Sequence, residues 1–62
     1  MTEKENKLLQ LIEKSEDIND TLYYLIKLMN HYLNTNQLDK REVAYTEYLD
    51  LIRATEENNI EE

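Results

Sequence analysis

The stretch TLYYLIKLMNHYL, residues 21–33, holds nine apolar or aromatic side chains and a single full charge, at Lys27. At about 100° per residue these side chains are spread around nearly the whole helical circumference. A helix formed here must therefore bury more than one side, and it needs more than one partner helix. The segment indicates assembly of helices rather than chemistry.

The length of 62 residues limits how much stability the chain can draw from its own core. A chain near 60 residues buries only about 60% of its unfolded surface, and its core rarely supplies more than ~3–5 kcal/mol. The chain has no cysteine and one histidine, which excludes disulfides and disfavours a structural zinc site. Self-association is the remaining source of stability. The absence of glycine and proline, with 40% hydrophobic residues, predicts an ordered all-α chain.

An apolar stripe with 3-4 spacing runs from residue 8 to residue 32 and predicts one long helix over about 3–34. Thr2 and Glu5 match a capping box at its start. The alternative is a break near 15–20, where the sequence SEDIND is rich in residues that favour caps and turns. The stripe comprises Leu8, Leu11, Ser15, Ile18, Leu22, Leu25, Met29 and Tyr32, and it is widened on one flank by Ile12, Ile26 and Leu33.

The segment NTNQL, residues 34–38, is the one clear loop, and a second helix is predicted over about 39–56. Asp39 and Glu42 match a capping box, and Leu38 with Val43 matches a hydrophobic staple. Residues 56–62 contain four glutamates and no base, so we expect an acidic, frayed tail behind a single helical domain of residues 1–55. The core face of this second helix comprises Ala44, Tyr48, Leu51, Ile52 and Thr55.

A helix of about 30 residues is ~45 Å long and one of about 17 is ~26 Å, so the second helix leaves half of the first uncovered. Two hairpins in a two-fold homodimer would cover it as a four-helix bundle. A monomeric three-helix bundle, broken near 15–20, is the alternative. The candidates for the dimer or core are Leu8, Leu11, Ile12, Ile18, Leu22, Leu25, Ile26, Met29, Tyr32, Leu33, Tyr48, Leu51 and Ile52.

Fourteen acidic residues against seven basic ones give a formal charge of −7. This charge disfavours direct binding to nucleic acid or to anionic membranes, because both attract clustered lysines and arginines. The apolar run is also too short to span a bilayer, and the start Met-Thr-Glu-Lys lacks the features of a signal peptide. We therefore expect a cytoplasmic protein. Its richness in Asn, Lys, Glu, Ile and Leu is typical of AT-rich bacterial or mobile-element sources.

Catalytic and cofactor-binding patterns are absent from the sequence, so we expect neither an enzyme nor a bound cofactor or metal. There is no cysteine and no glycine-rich phosphate loop, and Ser15 lies in the apolar stripe. His31 has no carboxylate within a helical turn to orient it, and we interpret it as a partly exposed helix residue.

Two Tyr/Leu pairs at i and i+4 lie off the apolar stripe, one in each predicted helix. Tyrosine is enriched at interfaces, so either pair could bind a foreign protein, although both could equally close the protein's own core. Clustered carboxylates in residues 13–20 could guide a partner with a basic surface, or form only a solvated face. The partner-binding candidates are Tyr24, Leu28, Tyr45, Leu49, Glu13, Glu16, Asp17 and Asp20.

These features predict a small protein-binding module, a dimeric helical adaptor or inhibitor that lays a helix face on a larger protein. A nucleic-acid mimic is one alternative, in which carboxylates imitate phosphates to block a DNA-binding protein. However, Lys4, Lys7, Lys14, Lys40 and Arg41 interrupt the acidic rows that a mimic requires. A structural or assembly subunit is the other alternative, and it requires self-association beyond a dimer.

Overall fold

Three helices make up the part of the chain that the computed structural model describes, residues 3–60, with side chains to Glu56. They are α1 (Glu3–Lys14), α2 (Ile18–Asn34) and α3 (Leu38–Ile60). No strand occurs in these residues, which confirms the all-α prediction. The prediction of one continuous helix over 3–34 is wrong, and the alternative with three helices is the fold observed.

Local hydrogen bonds within residues 15–21 explain the break between α1 and α2. Asp17 is extended (φ −102°, ψ 130°), and its carboxylate accepts a hydrogen bond of 3.2 Å from the Asn19 N–H, which caps α2. The Ser15 hydroxyl donates to the Ile12 carbonyl at 2.8 Å and hydrogen-bonds the Thr21 hydroxyl. Ser15 therefore occupies a stripe position without packing like an apolar residue. These capping hydrogen bonds therefore end one helix and begin the next, although the apolar spacing continues through the turn.

Asn36, between α2 and α3, has a left-handed backbone conformation. Asn36 has φ 59°, and its N–H donates to the Leu33 carbonyl at 3.1 Å, while the Gln37 N–H donates to the Tyr32 carbonyl at 2.8 Å. This pair of bonds is the Schellman arrangement, and asparagine tolerates the left-handed position better than most residues. The loop predicted at 34–38 is observed at residues 35–37, because Asn34 ends α2 and Leu38 begins α3.

The third helix begins one residue earlier and ends later than predicted. The Arg41 N–H donates to the Gln37 carbonyl at 3.1 Å, so Asp39 lies inside the first turn and is not the cap. Its charge still favours the positive end of the helix dipole. No glycine or proline follows residue 56 to stop the helix, which continues to Ile60. Glu61, Glu62 and the cap predicted at Thr2 lie outside the described residues.

The middle helix, α2, packs against both of the others. Among the described residues, no Cα of α1 lies within 8 Å of a Cα of α3. The molecule is consequently flat, about 43 × 22 × 11 Å along its principal axes. The buried apolar core comprises Leu8, Leu25, Leu28, Tyr32 and Ala44, and Ile12, Met29, Tyr48 and Leu51 pack against it.

The turn at 15–17 redistributes the predicted core. Leu11, Ile26 and Leu33, which are candidates for the dimer or the core, are exposed in the single chain and take no part in its core. Leu28, which the sequence placed off the stripe, is buried in the core, and His31 is also buried rather than partly exposed. The reason is that α1 folds back onto the flank of α2 that bears these two residues. Ile18, Leu22 and Ile52 are half-buried.

Candidate functional site

A buried polar cluster joins all three helices at one end of the molecule. The Tyr32 hydroxyl on α2 donates to Oε2 of Glu5 on α1 at 2.9 Å, and Lys40 Nζ on α3 donates to the same oxygen at 3.4 Å. Glu5 is only 5% exposed, whereas the lysine side chain is half exposed. Lys40 Nζ also lies 6.0 Å from the centre of the Tyr32 ring. We call Glu5, Tyr32 and Lys40 the Glu5 cluster.

Contacts within the Glu5 cluster shift the pKa values of two of its members in opposite directions. The hydrogen bond from Tyr32, together with the charge and hydrogen bond of Lys40, lowers the pKa of the Glu5 carboxyl despite its burial. Burial and the bond to Glu5 raise the pKa of Tyr32 to about 12. The carboxylate and the neutral phenol are therefore both favoured by folding. The cluster links α1 to both other helices.

We expect stability to fall at both extremes of pH because of this cluster. The contribution of Glu5 is present above its ordinary pKa of 4.5 and is lost as the pH falls through its lower folded pKa. The contribution of Tyr32 is present below its ordinary pKa of 10.0 and is lost as the pH rises from there to about 12. Urea unfolding followed by circular dichroism from pH 3 to pH 12, roughly, measures both effects. A difference between wild type and Tyr32→Phe that does not change above about pH 10 would contradict the assignment to Tyr32.

A groove lies between α1 and α3, and α2 forms its floor. One pocket of about 200 Å³ is bordered by Leu9 of α1, Leu28 and Tyr32 of α2, and Val43 and Ala44 of α3, with Lys40 and Glu47 at its edge. A second pocket of about 270 Å³ continues along α3 and shares Glu47. Its lining is Ile12, Thr21, Leu25, Glu47, Asp50 and Leu51. The two pockets make one groove because α1 and α3 are splayed apart.

The opposite side of the α2–α3 hairpin is also apolar, and the position of α1 shows which side this is. On α2, Leu28 borders a pocket with Leu9, and His31 borders another with Lys4, so this flank faces α1. On α3, Val43 borders a pocket with Leu9 and therefore marks the flank that faces α1. The remaining flank of each helix lies away from α1.

These remaining flanks carry six large apolar or aromatic side chains and form what we call the hairpin face. Ile26, Leu33 and Tyr45 are 40%, 52% and 45% exposed, and the other three are half-buried. Helical periodicity places the three residues of each helix on one flank. The described part of the chain therefore leaves Ile26, Leu33 and Tyr45 open to solvent. The hairpin face comprises Leu22, Ile26 and Leu33 on α2, and Tyr45, Leu49 and Ile52 on α3.

The structure separates the two Tyr/Leu pairs that the sequence singled out. Tyr24 is half-buried and Leu28 is in the core, so the first pair closes the fold and leaves little for a partner. Tyr45 and Leu49 both lie on the hairpin face. The groove had no recognisable signal in the sequence, because it depends on how far α1 and α3 are splayed.

The four acidic candidates lie near the turn between α1 and α2 and are all exposed. Asp17 caps α2, and Asp20 lies in its first turn, where a negative charge stabilises the helix. Both therefore have a structural role. Glu13 is exposed near the end of α1 and is not among the residues that line the groove. Glu16 lies in the turn itself.

Comparisons with models of protein families, with curated proteins and with solved structures give no match for this chain. Within residues 3–60, no three His, Asp or Glu side chains are grouped so as to hold a metal ion. None of the helices in that range has both the length and the apolar character needed to cross a bilayer. The candidate sites are therefore the groove and the hairpin face.

Proposed function

We propose that this protein is a small non-enzymatic protein-binding module that works as a homodimer joined through the hairpin face. The observation that supports the proposal is the exposure of that face after the core has formed. Its six side chains include no charged residue, although the whole chain carries −7. Two copies that meet here bring together no like charges from these six side chains, and they remove apolar surface from water.

The size of the hairpin face suits a modest dimer interface. The 17 residues of α2 are ~25 Å long, and two adjacent helices are ~20 Å wide, which gives each copy a footprint of about 500 Å². Two copies together bury about 1,000 Å² or more, near the lower limit for a specific interface. A two-fold arrangement pairs the same patch on both copies. The α2 and α3 helices of two copies would form a four-helix layer, with α1 outside it on each copy.

Sedimentation equilibrium tests the dimer directly. We expect about 15 kDa at micromolar concentration, twice the chain mass of 7.5 kDa, and a melting temperature that rises with protein concentration. Ile26→Glu should shift the mass to that of the monomer, because two copies of a buried charge would meet across the interface. Helical circular dichroism should persist, since Ile26 is exposed in the monomer.

Tyr23→Glu is the matched control, because Tyr23 is 55% exposed on α2 but lies outside the hairpin face. This variant should remain dimeric. A wild-type protein that sediments as a monomer, with a melting temperature independent of concentration, would reject the homodimer. Assemblies larger than a dimer would instead favour a structural or assembly subunit.

A further inference from the structure

We propose that the groove between α1 and α3 binds a basic amphipathic helix of a partner protein. The proposal rests on the proposed protein-binding function and specifies the partner's chemistry. It does not use the hairpin face, which lies on the other side of the molecule. A homodimer therefore leaves one groove open on each copy.

The shape of the groove fits an inserted helix that has apolar side chains on one face. Its two pockets lie side by side along α3, from Ala44 in the first to Leu51 in the second. Seven residues of helix correspond to ~10.5 Å, so side chains at i and i+7 of a bound helix would reach both pockets. On the rims, Leu9 is 44% exposed and Val43 is 63% exposed. A bound helix would cover both.

The negative charges around the groove favour the binding of a basic helix. Glu47 borders both pockets, and Asp50 borders the second. Lys40 is the only base among the lining residues, and it is ion-paired with Glu5. Asp50 has Arg53 at 3.9 Å, but both side chains are about two-thirds exposed or more, which leaves this pair weak. Lysines or arginines beside the apolar anchors would face the carboxylates of Glu47 and Asp50 on the α3 rim.

The test uses a synthetic helical peptide of about 18 residues, ~27 Å long, with leucines at i, i+4, i+7 and i+11 and lysines on its flanks. Binding is measured by fluorescence anisotropy and located by the amide shifts of labelled protein in two-dimensional NMR. A scrambled peptide of the same composition keeps the charge but loses the apolar face. A glutamate version of the peptide keeps the apolar face but reverses the charge.

Two double variants separate the contributions of the apolar rims and of the carboxylates to peptide binding. Leu9→Asn with Val43→Asn removes the exposed apolar rims without touching the core, and it should weaken binding about tenfold or more. Glu47→Gln with Asp50→Asn should slow association and reduce its salt dependence. The charge-matched control is Glu42→Gln with Glu56→Gln, because both carboxylates are exposed on α3 and line neither pocket, and it should change affinity by no more than about twofold.

The proposal holds if the leucine-lysine peptide binds more tightly than both control peptides and shifts the amides around Leu9, Val43 and Glu47. Equal binding of the scrambled peptide, or binding that depends only on the carboxylates, would overturn it in favour of an acidic mimic. Shifts confined to the hairpin face would place the peptide at the dimer surface and would also overturn it. Loss of the dimer with intact groove binding would reject only the homodimer, so the two failures are distinguishable.

Discussion

Leu25→Ala is expected to lower the free energy of unfolding by about 2–5 kcal/mol, which would leave little of the folded state. Leu25 is 1% exposed at the centre of α2, within the cluster that α1 and α3 complete. Removing its side chain leaves a cavity that the surrounding helices cannot fill without moving. Urea unfolding monitored by circular dichroism, at a fixed protein concentration, measures the loss.

Leu9→Ala deletes the same atoms from a helical position that is 44% exposed, and it serves as the control. This control should cost no more than about 1 kcal/mol, because little apolar contact is lost and alanine favours the helix. Equal losses at positions 25 and 9 would show that the core is placed wrongly.

Tyr32→Phe is expected to lower the free energy of unfolding by about 1.5–3 kcal/mol. The deleted hydroxyl donates at 2.9 Å to a carboxylate that is 5% exposed, and the bond from Lys40 to the same oxygen is longer, at 3.4 Å. The carboxylate would therefore be buried with less compensation. The pKa of Glu5 should rise in the variant, because its largest stabilising interaction has been removed.

Tyr23→Phe removes the same atom from a tyrosine that is 55% exposed, and it should change stability by less than about 0.5 kcal/mol. A double-mutant cycle with Glu5→Gln then isolates the coupling between Tyr32 and Glu5. A coupling energy near zero, or equal losses for the two tyrosine variants, would contradict the hydrogen bond as described.

Residue periodicity was sufficient to predict helices, the loop at 34–38 and most of the core on α2. These features depend on local propensity and on which side chains avoid water. The turn at 15–17 differs from the predicted continuous helix because the apolar spacing continues through it. The decisive signal was present in Asp17, a favoured capping residue that bonds the Asn19 N–H. Where Ser, Asp and Asn are clustered, capping residues are therefore a better guide to a helix break than the apolar spacing is.

The Glu5 cluster and the groove could not be read from the sequence, because both depend on distances between helices that are far apart in the chain. Glu5 and Lys40 are separated by 35 positions, and nothing in either local pattern links them. Glu5 was instead assigned to a capping box at the start of α1. Leu28 was placed off the stripe for the same reason, since only the returning α1 covers it. Tertiary packing decides such positions.

α1 packs on one side only, against α2, and this affects the order in which the helices unfold. α2 is enclosed from two directions, whereas α1 touches the rest of the backbone only through α2. Its detachment breaks one helix contact and the Glu5 cluster, and it leaves the α2–α3 hairpin with its own contacts. We therefore expect the N-terminal helix to unfold as a separate, weaker cooperative unit, with amides that lose protection from solvent exchange before those of the hairpin.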